Sequence, residues 1–275
     1  MCIRDSPIGT SSAINYTSEL DKISTYQTNI QNGLSRLKST QRVLEDILDI
    51  VIEIQSLAEE GLTVSASLER ATLSTSIDIF LQQILMNANA KFQGKFIFGG
   101  TETLSGTAPL SAPFNAVYDS DGYISGVIQN VNGIDQLIKY EINEGQYEAV
   151  NISGSAPFQP NGEGNAEDIF ETIINLRDAF RSNDLATATA ELENLKNEYD
   201  NILAQTSLVG TRIVALENQD VQQDDLSINL KENLSSVLDV DLAQAIIEQS
   251  YQSFLYQTSL QVGAKIIPPS LLDFI

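Results

Sequence analysis

The chain has 275 residues, enough for one or two domains, and 42% of them are hydrophobic, so it can bury a core. Its 37 Asp and Glu residues outnumber its 15 Lys and Arg residues, and the formal net charge of -22 repels nucleic-acid phosphates and anionic membrane surfaces. The absence of histidine removes the commonest general base and zinc ligand, which excludes Ser-His-Asp and Cys-His nucleophile sites.

The chain shows no pattern typical of a membrane span or a disulfide framework. Its most apolar stretch, Ile47 to Ile54, is interrupted by Asp49 and Glu53. The lone cysteine, Cys2, cannot form an intrachain disulfide. Residues Met1 to Ser6 lack the apolar core of a secretory signal peptide, so we expect any export to proceed without a cleaved leader.

A seven-residue repeat predicts a long first helix. Its apolar positions are Ile23, Ile30, Leu37, Leu44, Val51 and Ala58. A companion repeat three residues earlier alternates leucine with glutamine: Leu20, Gln27, Leu34, Gln41, Leu48 and Gln55. Such a seam indicates a supercoiled helix with one specified partner arrangement. No proline interrupts Ala13 to Glu60, which predicts a helix of roughly 70 Å that ends at Gly61.

The middle of the chain changes from helical to β character. Helical periodicity resumes from Glu69 to Phe92, and Phe96 to Phe98 is typical of a short strand. From Thr101 to Asn165, short alternating runs separated by Gly, Ser, Pro and Asn predict a small β insert. We expect the ends of this insert to lie close together and the insert to be dispensable for the fold.

The segment from Asp119 to Gly122 begins like a calcium loop. Asn130 stands at the twelfth position, where an EF-hand needs glutamate, so the sequence favours a hairpin turn. Acidic pairs such as Asp224-Asp225 are typical of solvated helix faces rather than of a catalytic couple. Gly99-Gly100 lacks the following lysine of a phosphate-binding loop. The sequence therefore predicts no enzyme, no cofactor and no metal site.

Helices return after the insert. Asn165 is predicted as an N-cap, a second long helical segment follows Asn183-Asp184 with breaks at Ser235-Ser236 and Asp239, and a last helix covers Asp241 to Ile267. The predicted fold is mainly α with a small β insert, in a long antiparallel helical rod. The expected segments are an atypical start (1–13), an outgoing helical half (14–100), the β insert (101–165), a returning half (166–240) and a C-terminal assembly helix and tail (241–275).

The apolar residues of the last helix have no obvious partner within one chain. They could form core inside the monomer, but their position at the end of the chain favours an interface that is buried only on assembly. The candidate interface residues are Ala245, Phe254, Gln257, Leu260, Val262, Ile266, Leu271, Leu272 and Phe274.

Several motifs resemble the flagellin family, and among its members the hook–filament junction proteins. Pro7 to Ala13 is similar to the segment that leads into the family's first long helix, Asn89 to Thr101 to its hairpin, and Gly210 to Glu217 to its Gly-x-Arg…Leu-Glu element. The most specific matches are Val240 to Ile246 and the stretch from Tyr256 through the terminal Leu-Leu-Asp-Phe-Ile. Met1 to Ser6 do not resemble the family, so we expect its usual N-terminal segment to be missing.

The resemblance implies a structural role rather than an activity. Family members are exported unfolded by the flagellar type III apparatus, and their terminal segments form a coiled-coil inner wall. The resemblance implies an adaptor ring of identical subunits between the first hook-associated protein and the flagellin filament, with a cytoplasmic export chaperone holding the C-terminal helix before export. Two alternatives stay open: a divergent flagellin, which would form long filaments alone, and an adhesin-type module carried by the β insert.

Overall fold

The computed structural model describes residues 7–63, 66–101, 112–130, 133–162, 168–238 and 242–266. The helices are α1 (Pro7–Thr63), α2 (Ser67–Ala88), α3 (Ile169–Ser182), α4 (Leu185–Leu238) and α5 (Leu242–Ile266). The strands are β1 (Lys91–Phe92), β2 (Lys95–Phe96), β3 (Phe114–Tyr118), β4 (Ile124–Gln129), β5 (Lys139–Asn143) and β6 (Gln146–Ala149). They form three antiparallel pairs, β1–β2, β3–β4 and β5–β6. With 72% of the structure helical, the predicted mainly α fold with a small β insert is confirmed.

The chain divides into two compact units. One comprises Met1–Lys22 together with Asp225–Ile275, and we call it the terminal unit. The other comprises Ile23–Asp224, and we call it the central unit. None of the helices within the described ranges is both long and apolar enough to cross a membrane. The five segments expected from composition remain a proposal about how the chain is organised.

The heptad prediction for α1 is confirmed at its central positions. All six residues of the apolar repeat, from Ile23 to Ala58, are at most 2% exposed. The companion leucines and glutamines lie at the edge of this buried stripe, and Gln27 donates a hydrogen bond to Asp224 Oδ1 of α4 at 2.5 Å. The other edge, which the sequence prediction missed, is buried as well and contains Gly33, Thr40, Ile47 and Ile54.

Cross-helix polar contacts establish the direction of α4 relative to α1 in the central unit. Gln31 donates to Asp220, and Lys38 forms an ion pair with Glu217 at 2.7 Å. Residue numbers rise along α1 as those of its partners fall along α4, so the two helices run antiparallel here. Both contacts are exposed, and such pairs contribute about 0–1 kcal/mol each. The buried apolar stripe therefore stabilises the pairing, and the polar contacts help to specify its register.

Gly61 does not end α1, contrary to the sequence prediction. The helix continues through Thr63, and Gly61 is buried against the ring of Phe180 in α3. A Cβ atom added at Gly61 would lie 2.7 Å from Phe180 Cε1, closer than packed atoms approach. The glycine is required by the close approach of an aromatic ring rather than by a helix terminus.

The returning helices begin and end differently from the prediction. The N-cap of α3 is Asp168, whose carboxylate accepts hydrogen bonds from the backbone N–H groups of Phe170 and Glu171. The predicted cap, Asn165, lies outside the described residues. The predicted break at Ser235-Ser236 is not found, and α4 is continuous to Leu238. A serine destabilises a helix by only about a few tenths of a kcal/mol relative to alanine.

The β segment shares its core with the helices. The buried ring of Phe158 contacts the rings of Phe98, Phe114 and Phe170 with centroid distances of 5.0, 5.0 and 5.8 Å. Phe114 belongs to β3, whereas Phe170 belongs to α3, so strands and helices contribute to one aromatic cluster. This shared cluster argues against the expectation that the insert is dispensable for the fold.

The predicted strands and turn are found with shifted bounds. The expected strand Phe96 to Phe98 is shorter, since β2 ends at Phe96. The Asp119 carboxylate accepts hydrogen bonds from the backbone N–H groups of Asp121 and Tyr123, and Gly122 has a φ of 87°. The segment is therefore the turn of the β3–β4 hairpin, as predicted.

Candidate assembly surface

Helix α5 has a composition that differs from the rest of the chain. Its 25 residues include one acidic side chain, Glu248, and one basic side chain, Lys265. Large apolar residues occur on every side of the helix rather than along one stripe. A helix that is apolar all round is normally buried on all sides, because each exposed apolar side chain loses the stabilisation of leaving water.

The structure nevertheless leaves α5 open to solvent. Every side chain from 246 to 264 is exposed, including Phe254 at 63% and Tyr256 at 69% of their full accessible surface. Scattered exposed apolar residues are normal, but a contiguous set on one helix marks an interaction surface. We call this set the α5 surface: Ile246, Ile247, Tyr251, Phe254, Leu255, Tyr256, Leu260 and Val262.

The predicted interface residues fall into three groups. Phe254, Gln257, Leu260 and Val262 are exposed on α5, and Ala245 is half-buried near its start. Ile266 is the last residue of the helix. Leu271, Leu272 and Phe274 lie outside the described residues. The structure thus brings Phe254, Gln257, Leu260 and Val262 together on one exposed helix, and their role in assembly remains a prediction.

The sequence prediction omitted several members of the α5 surface. Ile246, Ile247 and Tyr256 are exposed to the same degree as the predicted residues but were not assigned to the interface. A search for a single helical stripe would not select them, because they lie on different sides of the helix. The near-absence of charge over the 25 residues is the signal that identifies them.

The terminal unit also contains a groove beside the first turns of α1. The groove has a volume of about 460 Å³ and is mostly apolar. It is lined by Thr10, Ala13, Ile14, Thr17, Ser18 and Asp21 of α1 and by Leu238 of α4. Ile14, in the wall, is exposed, and so is Ile8, two residues before the first lining residue. This unit therefore presents two apolar surfaces, α5 and the groove.

Comparisons with known proteins give these surfaces a context. Residues 4–103 match the family model of the bacterial flagellin N-terminal helical region. Flagellar hook-associated protein 3 of Escherichia coli K12 is 27% identical over 258 residues, which cover 86% of this chain and 77% of that protein. This chain is a homologue of flagellar hook-associated protein 3.

Solved structures show the same fold. A putative flagellar hook-associated protein from Vibrio parahaemolyticus superposes with a TM-score of 0.72 at 20% identity, covering 86% of this chain and 100% of that one. The flagellar junction protein FlgL from Legionella pneumophila has a TM-score of 0.63 at 14% identity, covering 85% of this chain and 100% of that one. At such identities the likeness establishes the fold.

The homology confirms the predicted function over its alternatives. The relatives of this chain are structural components of the flagellum at the hook–filament junction, which favours that function over a divergent flagellin or an adhesin. They are structural proteins rather than known enzymes.

Proposed function

We propose that this chain is a structural subunit of the bacterial flagellum that forms a ring at the hook–filament junction. In this ring, the first hook-associated protein lies on one side and flagellin on the other. The observation that carries the proposal is the α5 surface, whose apolar side chains lie on every side of the helix yet are exposed in the single chain. Burial of this surface between subunits would stabilise the ring by roughly 25 cal/mol per Å² of apolar area removed from water.

We further propose that the chain has no catalytic activity. Its relatives are structural proteins, and the lack of histidine leaves the commonest general base unavailable. The location that follows is the extracellular flagellum, reached by type III export. Before export, an α5 surface open to the cytoplasm would promote aggregation, which supports the proposal that an export chaperone covers it.

The proposal is tested by placing a charge in the α5 surface. Phe254→Glu should leave helical content and melting temperature unchanged, because the side chain is already exposed in the monomer. The same substitution should abolish ring formation when the chain is mixed with hook-associated protein and flagellin, since it would bury an unpaired charge. Gln222→Glu is the matched control, because it adds the same charge at an exposed position of α4, outside the α5 surface. Electron microscopy and co-sedimentation measure assembly.

Three outcomes would contradict the proposal. Phe254→Glu could assemble as well as the unaltered chain, which would remove α5 from the interface. The unaltered chain could fail to join either partner, which would contradict the junction role. It could also form long filaments without any partner, which would identify a filament subunit.

A further inference from the structure

Arg36 is a buried cation for which the described residues provide no carboxylate partner. Its side chain in α1 is 6% exposed, and Nη2 donates hydrogen bonds to the backbone oxygens of Phe96 and Ile97, both at 3.2 Å. Its Nε atom is buried without a hydrogen-bond partner. No carboxylate among the described residues forms an ion pair with it. In a chain with 37 acidic residues and 15 basic ones, an unpaired buried guanidinium is unexpected.

A comparison with Arg177 shows what Arg36 lacks. Arg177 is also buried, and it forms ion pairs with Asp78 at 2.7 Å and with Asp178 at 2.9 Å. Burial alone lowers the pKa of an arginine, but these two carboxylates raise the pKa of Arg177. Burial lowers the pKa of Arg36, and Tyr140 opposes this effect only in part. Within the part of the chain that the structure describes, Arg36 therefore lacks the counter-ion that a buried cation normally requires.

Arg36 lies in the wall of a pocket in the central unit. The pocket has a volume of about 420 Å³, and the hairpin β1–β2 contributes the exposed ammonium group of Lys95. Asn32 of α1 and Tyr140 of β5 add an amide and a phenol group. Among the described residues, the lining contains two cations and no acidic side chain. Its chemistry suits an anion that can accept several hydrogen bonds at once.

We propose that this pocket binds a carboxylate group, supplied by an acidic side chain of a second copy of this chain. The guanidinium group of Arg36 is planar and donates in the plane in which a carboxylate accepts, and the exposed Lys95 provides a second positive charge in the pocket lining. The net charge of -22 ensures that each copy carries many acidic side chains, although copies repel one another overall. A cationic pocket that accepts a carboxylate of another copy converts part of that repulsion into a specific contact. This inference rests on the proposed assembly of identical subunits.

The chemistry of the pocket is tested with a small probe on the full chain. The probe is the methylamide of N-acetylglutamic acid, which carries one side-chain carboxylate, and the neutral glutamine analogue is its control. We expect the acid to shift the ¹⁵N–¹H signal of Arg36 Nε saturably and the amide to have no effect. Lys95→Gln should weaken binding by about two- to fivefold, the range expected for one exposed ion pair.

A matched control variant is available in the same hairpin. Lys91→Gln makes the same charge change at an exposed lysine, whose ammonium lies over the Phe96 ring at 4.4 Å and outside the pocket lining. It should leave binding of the probe unchanged. The proposal is wrong if the acid gives no saturable shift, if inorganic phosphate binds and the carboxylate does not, or if the two lysine variants weaken binding equally.

The source of the carboxylate is tested by self-association. Sedimentation of the full chain at low salt should show weaker association for Lys95→Glu than for Lys91→Glu, with unchanged melting temperatures for both. If the probe binds and the two variants associate alike, a second copy is not the source. If Phe254→Glu blocks junction assembly and Lys95→Glu does not, the proposed function stands and this inference fails.

Discussion

Asp220 of α4 shows how the charge of this chain acts at a single residue. Partial burial and the neighbouring Asp224 raise the pKa of the Asp220 carboxyl above its ordinary value of 3.8, and the hydrogen bond from Gln31 opposes them. The folded state therefore holds the proton more tightly than the unfolded state. The destabilisation is fully present above the folded pKa and disappears as the pH falls below 3.8.

This linkage predicts that Asp220→Asn stabilises the chain at pH 7. The gain should be below about 1 kcal/mol because the group is largely solvated, and it should vanish below about pH 4, where both states are protonated. Asp225→Asn removes the same charge from an exposed position of α4 and is the control. Thermal unfolding of both variants from pH 3 to 7 is the measurement. An equal gain for both would show an effect of net charge alone.

Single residues also show where sequence patterns were ambiguous. Gly61 matches a helix stop signal because glycine is common just beyond helix ends, but the structure shows that the close ring of Phe180 is what requires a glycine there. That ring is more than one hundred residues away in sequence, so no local pattern reveals it. The predicted N-cap, Asn165, and the observed one, Asp168, belong to residue types that both favour the N-cap position, so composition alone does not choose between them.

At the scale of elements, the prediction was strongest where one repeat dominates. The apolar heptad of α1 correctly predicts the buried stripe, because all six of its positions are hydrophobic. The second edge of that stripe was missed because Gly33 and Thr40 are not apolar, although both are buried. A Cβ at Gly33 would lie 2.7 Å from Val150 Cγ1, so this edge is shaped by the chain just after β6.

The aromatic cluster predicts that strands and helices of the central unit unfold together. Phe158→Ala should lower the free energy of unfolding by about 3–5 kcal/mol, as for other large buried aromatic residues. Because total stabilities are about 5–15 kcal/mol, the helical signal in circular dichroism should melt at a clearly lower temperature. Tyr147→Ala, at an exposed ring of β6, should change it little. An unshifted helical transition in Phe158→Ala would show that the β segment unfolds independently.

At the scale of the whole molecule, the sequence predicts helix α5 and its apolar composition, but it does not show whether the side chains of α5 are packed or exposed. A helix of about 25 residues is marginal in water without packing, and the exposed residues of α5 provide little packing in the single chain. Sequence reasoning could identify its apolar residues as core or as interface, and only the exposure of each side chain distinguishes these alternatives. Association must also offset the loss of translational and rotational freedom, which costs about 4–15 kcal/mol, so a large part of the surface has to become buried.

Hydrogen exchange of the α5 backbone amides, in the isolated chain and in the assembled junction, tests the assembly role of α5 most directly. We predict that amides from 246 to 264 exchange rapidly in the monomer, whereas those around Leu44 in the buried stripe of α1 are protected. In the assembly, the α5 amides should become protected to a similar extent. Protection in the monomer equal to that around Leu44, or no gain on assembly, would contradict the assembly role of α5.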